Sequence, residues 1–116
     1  MSDPIRGQIY WLNWEPGRGS EQTGRRPSLV VQNNPYNQAS AYVNTIVVTI
    51  SSKGRDIPTH VKLIPDSVNG LRETSYIKCE QLYTINKERL EDYIGEIGDD
   101  VLREVDNALK KVLGLV

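Results

Sequence analysis

An arginine pair set before a proline, Arg25-Arg26-Pro27, is the feature of this sequence best suited to chemistry beyond packing. Arginine presents a planar fork of N–H donors that matches phosphate oxygens, and it keeps its charge at every working pH. Gly19 and Gly24, just before the pair, have the outer spacing of a phosphate-binding P-loop. That motif needs Lys-Ser/Thr and a helix next, where this chain has Arg-Arg-Pro, so the glycines are expected to serve a tight hairpin turn. The chain holds one cysteine, Cys79, and one histidine, His60. Together they are too few soft ligands for a zinc site, no internal disulfide is possible, and any metal would need carboxylates. His60 could act as a general base or in a hydrolase triad, but no G-x-S-x-G elbow accompanies it. A solvent-facing strand histidine is the commoner reading. Trp11 and Trp14 could stack bases, although core packing is the commoner fate of tryptophan. They differ in strand parity, so a regular strand sends at most one of them to an interior.

The elements that must position these residues are mostly strands. Residues 8–14, 27–32 and 42–51 are short runs rich in β-branched and aromatic side chains, and weaker runs follow at 59–64, 75–79 and 81–85. Breaks of Gly, Pro, Asn and Asp between them suggest a meander closing into a small barrel. The period then changes: Val101, Leu102, Val105, Ala108, Leu109, Val112 and Leu113 recur as one helix face. Asp99 and Asp100 suit the start of that helix, Lys110 and Lys111 its end, and Gly114 its stop. The apolar face could pack on its own barrel or on another chain. A shorter helical turn opens at Asn86, which is placed as its cap. The spans 15–26, 33–41 and 52–58 read as loops, and loops of this length in a small domain often carry function.

Length and composition fit one domain over residues 1–116 of the mostly β, α+β class. No apolar run reaches the ~18 residues a membrane helix needs. The first residues lack the apolar segment of a signal peptide, so a cytoplasmic location is expected. The net charge of −1 hides an asymmetry: residues 1–62 carry seven Lys/Arg against four Asp/Glu, residues 63–116 seven against eleven. The first half could therefore present a basic face to phosphates.

Several segments, taken in order, resemble the MazF/PemK toxin family. They are Arg6-Gly7-Gln8-Ile9-Tyr10-Trp11, then Gly19-Ser20-Glu21-Gln22-Thr23-Gly24-Arg25-Arg26-Pro27, and Leu29-Val30-Val31-Gln32-Asn33. Thr45-Ile46-Val47-Val48-Thr49-Ile50-Ser51, Pro58-Thr59-His60-Val61, Glu80-Gln81, Thr84-Ile85-Asn86-Lys87-Glu88-Arg89-Leu90 and the helix of residues 105–115 extend the likeness over nearly the whole chain. The resemblance implies a small SH3-like or CcdB-like barrel with a C-terminal helix and a short additional helix, forming a homodimer with an RNA groove. It also implies a sequence-selective, metal-independent endoribonuclease that cuts single-stranded RNA, chiefly messenger RNA, arrests translation, and is neutralised by a MazE-like antitoxin. No cofactor is implied.

Carried over by position, Arg26 matches the family's catalytic arginine, and Arg25 fills a variable position. The second catalytic position, usually threonine, aligns with Ser51, and Thr49 stays open as an alternative. Ser20, Glu21, Glu80 and Gln81 match segments that line the RNA path. The expected products are a 2′,3′-cyclic phosphate and a 5′-hydroxyl. A competing reading is a non-catalytic barrel of the same fold that binds RNA or a protein, as the gyrase-poisoning CcdB toxins do. Those rely on a C-terminal tryptophan, and this chain has none after Trp14.

Overall fold

The computed structural model describes residues 3–14 and 24–116. Among the described residues six antiparallel strands form one sheet: β1 Gln8–Asn13, β2 Arg25–Val30, β3 Asn44–Ser51, β4 His60–Leu63, β5 Ser75–Asn86 and β6 Leu90–Glu96, in the order β4-β5-β3-β2-β1-β6. The helix expected at the C-terminus is α2, Asp99–Leu113, and Gly114 ends it by donating its amide to the carbonyls of Lys110 and Lys111. The cap at Asn86 is also as expected, since its side chain accepts from the Glu88 amide and opens a single 3₁₀ turn, Lys87–Arg89.

Three elements differ from the sequence reading. The weak runs at 75–79 and 81–85 fuse into one bent strand, β5, whose pairing with β3 shifts register between Val48 and Thr49. The span 33–41 is not all loop, because Asn33 caps a short helix, α1 Asn34–Gln38, with Pro35 in its first turn. Its Asn37 is fully buried, donates to the Gln32 carbonyl and accepts from Thr45 Oγ1 at 2.7 Å. The third difference is β6, where Glu91, Asp92 and Gly95 interrupt the apolar pattern that marks a strand. It lies at the sheet edge, where exposed charges discourage pairing with other chains.

The sheet coils until its two ends meet through a loop rather than a ladder. Glu96 donates its amide to the Val68 carbonyl, at 3.1 Å, in the connection between β4 and β5. Gly95 makes this seam possible, since a Cβ there would stand 2.4 Å from the backbone carbonyl of Asn69. Asn69 is itself buried, holding the connection through the Ile64 carbonyl and the Leu71 amide.

Alternation along the strands divides the core. Ile9, Leu29, Val48, Ile50, Val61, Leu63, Ile77 and Cys79 share the first face with Val105 and Ala108 of α2. The helix therefore packs on its own barrel, against β4 and β5, which answers the choice left open by its apolar stripe. Leu12, Trp14, Val30, Val47, Ile85 and Leu90 cluster on the second face. No helix among the described residues is long and apolar enough to cross a membrane.

Gly95→Ala should cost about 2–3 kcal/mol, because the new methyl meets backbone rather than a side chain that can rotate away. Urea unfolding of the two proteins measures this, and an unchanged midpoint would show that the β6 seam is not tight.

Candidate functional site

The second face, beyond its apolar cluster, carries a row of polar side chains fixed by strand register. On β2 and β3, Ser28 pairs with Thr49, Leu29 with Val48 and Val30 with Val47. Carried two residues further, the same antiparallel register sets Arg26 across from Ser51 on the face of Ser28 and Thr49. Beyond β3, Ser51 pairs with Tyr76 and Thr49 with Lys78; on β4, His60 pairs with Lys78 and Lys62 with Tyr76. Arg26, Lys78 and Lys62 thus join three hydroxyl residues, Ser28, Thr49 and Ser51, with a tyrosine and a histidine on one face of four strands. The basic face expected from the first half of the chain draws one of its lysines from the second half.

Of the two hydroxyl candidates, Thr49 is fully buried and donates to Gln81 Oε1, whereas Ser51 is partly exposed and its oxygen accepts from the Lys53 amide at 3.1 Å. Arg26 is exposed at the start of β2. Ser28 Oγ, between them in register, is buried and makes no hydrogen bond among the described residues.

Glu80 and Gln81 sit where β5 slips against β3, between the Val48–Leu82 and Thr49–Lys78 pairs. Bulges redirect side chains, and both of these are pinned. Thr49 holds Gln81, and His60 Nε2 lies 2.9 Å from Glu80 Oε2. His60 Nδ1 accepts the Arg55 amide at 3.1 Å, so in this arrangement Nε2 carries the proton and donates to Glu80. The His60 side chain is only 5% exposed, which corrects the expectation of a solvent-facing strand histidine. Both ring nitrogens are committed to an amide and a carboxylate, an arrangement unlike a serine-hydrolase triad. Partial burial pushes the Glu80 carboxyl up, but hydrogen bonds from His60, its own amide and Thr59, with electrostatic attraction to the His60 ring, outweigh this and hold it below the ordinary value. Burial, with the Glu80 charge, pushes the Cys79 thiol up to about 12, so it is no nucleophile near neutral pH.

The two adjacent arginines face different surroundings. Arg25 pairs across to Asn13, lies with its guanidinium 4.7 Å from the Trp11 ring centre, and is held by Glu91 at 2.7 Å and Asp92 at 3.1 Å. Both acids belong to β6, the strand missing from the sequence reading. Trp11 itself is half-buried at the barrel mouth on the first face, while Trp14 packs in the second cluster against Tyr83, with ring centres 4.7 Å apart. The parity argument for the tryptophans therefore holds. A cleft of about 630 Å³ opens at the mouth, lined by Trp11, Pro27, Ile50 and Ser75 and bordered by Arg26 and Ser51. Ser20 and Glu21 lie outside the described residues. Gly24 has a φ of 75°, and Trp14 donates to its carbonyl at 2.8 Å, closing the base of the β1–β2 hairpin. Strand β2 starts where a P-loop would need a helix.

Sequence and structure comparisons agree with one another. A family model described as "PemK-like, MazF-like toxin of type II toxin-antitoxin system" matches residues 5–113. The endoribonuclease EndoA of Bacillus subtilis is 38% identical over 111 residues, 96% of this chain and 95% of that protein. Endoribonuclease MazF2 of Mycobacterium bovis is 35% identical over 111 residues, covering 95% and 96%. Among solved structures, a mycobacterial endoribonuclease in complex with its cognate antitoxin superposes with a TM-score of 0.80 at 30% identity, over 97% of each chain. MazF from Deinococcus radiodurans gives 0.80 at 29% identity, over 98% of this chain and 99% of that one.

Because the folded Glu80 carboxyl lies below its ordinary value, its contribution to stability is full above that value and disappears as pH falls through the lowered one. Thermal melting of the protein and its Glu80→Gln form should show the wild-type advantage shrinking over the acid range below about pH 4.5, the ordinary value of the group. A difference that does not change over that range would mean the His60–Glu80 contact contributes nothing to the fold.

Proposed function

From the premise that this chain belongs to the PemK-like, MazF-like toxin family of type II toxin-antitoxin systems, we propose that it is an endoribonuclease cutting single-stranded RNA at Arg26 and Ser51. The observation that carries this reading is the β2–β3 register, which aligns an exposed guanidinium with a partly exposed hydroxyl across neighbouring strands. Their surroundings suit a polyanion, because Lys62 and Lys78 continue the same face. The curated relatives, matched over nearly their full length, are named endoribonucleases.

Cleavage proceeds by attack of the 2′-oxygen on the adjacent phosphorus, with the P–O5′ bond breaking as the new P–O2′ bond forms. The 2′-hydroxyl gives up its proton and the departing 5′-oxygen gains one, leaving a 2′,3′-cyclic phosphate and a 5′-hydroxyl. At the transition state, charge accumulates on the non-bridging phosphoryl oxygens, where a preorganised guanidinium is worth most. Arg26 fills that role. An arginine stays protonated, so it clamps the phosphate and takes no proton from the 2′-hydroxyl. The Ser51 hydroxyl donates to a second phosphoryl oxygen, and its acceptance of the Lys53 amide leaves the O–H free to do so. A two-histidine acid–base pair is unavailable within one chain.

Thr49 is the weaker candidate for the hydroxyl, since reaching substrate would require breaking its bond to Gln81 and exposing a fully buried side chain. Glu80 and Gln81 are assigned to RNA contact at the bulge, and Ser20 and Glu21, outside the described residues, are assigned to RNA contact by their match to the family's segments. The biological setting proposed is the cytoplasm, with messenger RNA as target and translation arrest as outcome. The toxin acts as a homodimer and is neutralised by a MazE-like antitoxin whose acidic segment competes for the basic face.

Purified protein and its Arg26→Ala form, incubated with a long mixed-sequence RNA in excess chelator, test this. Discrete cuts bearing 5′-hydroxyl ends are expected, slowed about 10²–10³-fold in Arg26→Ala. Ser51→Ala should slow them less, and Ser51→Thr should restore cutting. Equal rates for wild type and Arg26→Ala would remove Arg26 from the mechanism, and intact RNA with wild type would sink the nuclease reading.

A further inference from the structure

The cleft at the barrel mouth lies on the opposite side of the strands from Glu80, Gln81 and His60, although it touches Arg26 and Ser51 at its border. Its floor is apolar: Trp11, Ile50, Leu71 and Ile94. One wall is the Arg25 guanidinium, stacked on Trp11 and neutralised by Glu91 and Asp92. A guanidinium already paired with two carboxylates is a poor phosphate clamp, but it is a rigid flat surface, and unpaired RNA bases stack on arginine planes as they do on aromatic rings. The facing rim carries adjacent exposed charges of opposite sign, Arg72 and Glu73. Arg72 forms no ion pair or hydrogen bond with any described residue. The Glu73 carbonyl, through the Ser75 hydroxyl at 3.0 Å, anchors this rim to the start of β5.

We propose that this cleft is a single-base subsite beside the scissile phosphate, in which a flipped-out base lies against the Arg25–Trp11 pair and is read by Arg72 and Glu73. The inference rests on the RNA-cleaving reading above and adds to it a specificity determinant. A carboxylate accepts hydrogen bonds and repels carbonyl oxygens, while a guanidinium only donates. The rim therefore selects a base that presents an amino group beside a ring acceptor, as cytosine, adenine and guanine do. Uracil has no amino group, and its single N3–H donor is flanked on both sides by carbonyl oxygens that Glu73 repels, so it is held more weakly. A bare phosphate is disfavoured at the same place by that carboxylate, so the cleft takes a base while Arg26 takes the phosphate.

Two readouts separate this proposal from the nuclease reading. In the first, tryptophan emission is followed as short single-stranded 2′-deoxy oligonucleotides of adenine, cytosine or uracil are added; these lack the attacking 2′-hydroxyl and cannot be cut. The adenine and cytosine strands should quench emission and the uracil strand should bind about tenfold more weakly. Trp11→Phe should abolish the quenching. Glu73→Gln, whose amide both donates and accepts, should let uracil bind as well as cytosine. In the second, 5′-end mapping of cut RNA should show uracil depleted at one position next to the cut in wild type and no longer depleted in Glu73→Gln. Equal quenching by all three strands, quenching that survives in Trp11→Phe, or a cut pattern unchanged in Glu73→Gln would overturn the subsite. Base-selective quenching of Trp11 with no cutting of RNA would uphold the subsite and remove the nuclease function instead.

Discussion

The antiparallel register of β2 on β3 is the constraint on which the candidate site depends. Pairing Ser28 with Thr49 fixes which side of the sheet every later residue of both strands faces, and a slip by one residue would send Arg26 and Ser51 to opposite faces. Burial holds the register. Leu29 and Val48 pair on the first face and Val30 and Val47 on the second, all four fully buried, so a slip would break the packing of both cores at once and send Arg26 toward the first. The site thus inherits its precision from apolar packing on both sides of the same strands. A scaffold of this kind positions a guanidinium and a hydroxyl by strand register, with the Lys53 amide as a further hold on Ser51.

Strand alternation also explains how neighbouring arginines come to do different work. Arg25 faces a tryptophan on its own side and two carboxylates on the edge strand, which leave it fixed and electrically quenched. Arg26 follows it and faces the basic side. The difference lies in what each side chain meets, since the two residues are chemically identical. Proline at 27 accentuates the contrast, because it restricts Arg26 to extended backbone and so fixes the direction in which its side chain leaves the strand.

Much of the fold was legible in sequence because its signals are local. The helical stripe from Val101 to Leu113, its acidic start, its lysines and Gly114 all lie within one element, as do the cap at Asn86 and the apolar run of β3. What could not be read depends on partners distant in sequence. Strand β6 has little strand character alone and exists because β1 offers it a ladder and Gly95 lets the Asn69 carbonyl approach. The burial of His60 follows from Glu80, twenty residues away, and the Arg55 amide. For the site, arginine before proline was visible as a motif, and Ser51 as the end of a strand. The cleft was not, because Trp11, Leu71, Glu73 and Ile94 come from separate segments with no spacing to link them.

The bulge in β5 shows how the fold accommodates polar residues where a regular sheet would bury them. Val48 pairs with Leu82 and the next residue, Thr49, pairs with Lys78, so Cys79, Glu80 and Gln81 are extra residues on one strand only. Cys79 takes the interior position and is sealed in the first core, which leaves Glu80 and Gln81 to turn toward the second face. There each meets a partner already fixed by register: His60 on β4 and Thr49 on β3. A buried threonine hydroxyl without such a partner would be costly, and an unanchored glutamate beside a basic face would be free to collapse onto its lysines. Pinning both side chains leaves Lys62 and Lys78 available to an incoming polyanion. The insertion that interrupts the β-ladder is therefore what keeps the basic face open next to Ser51.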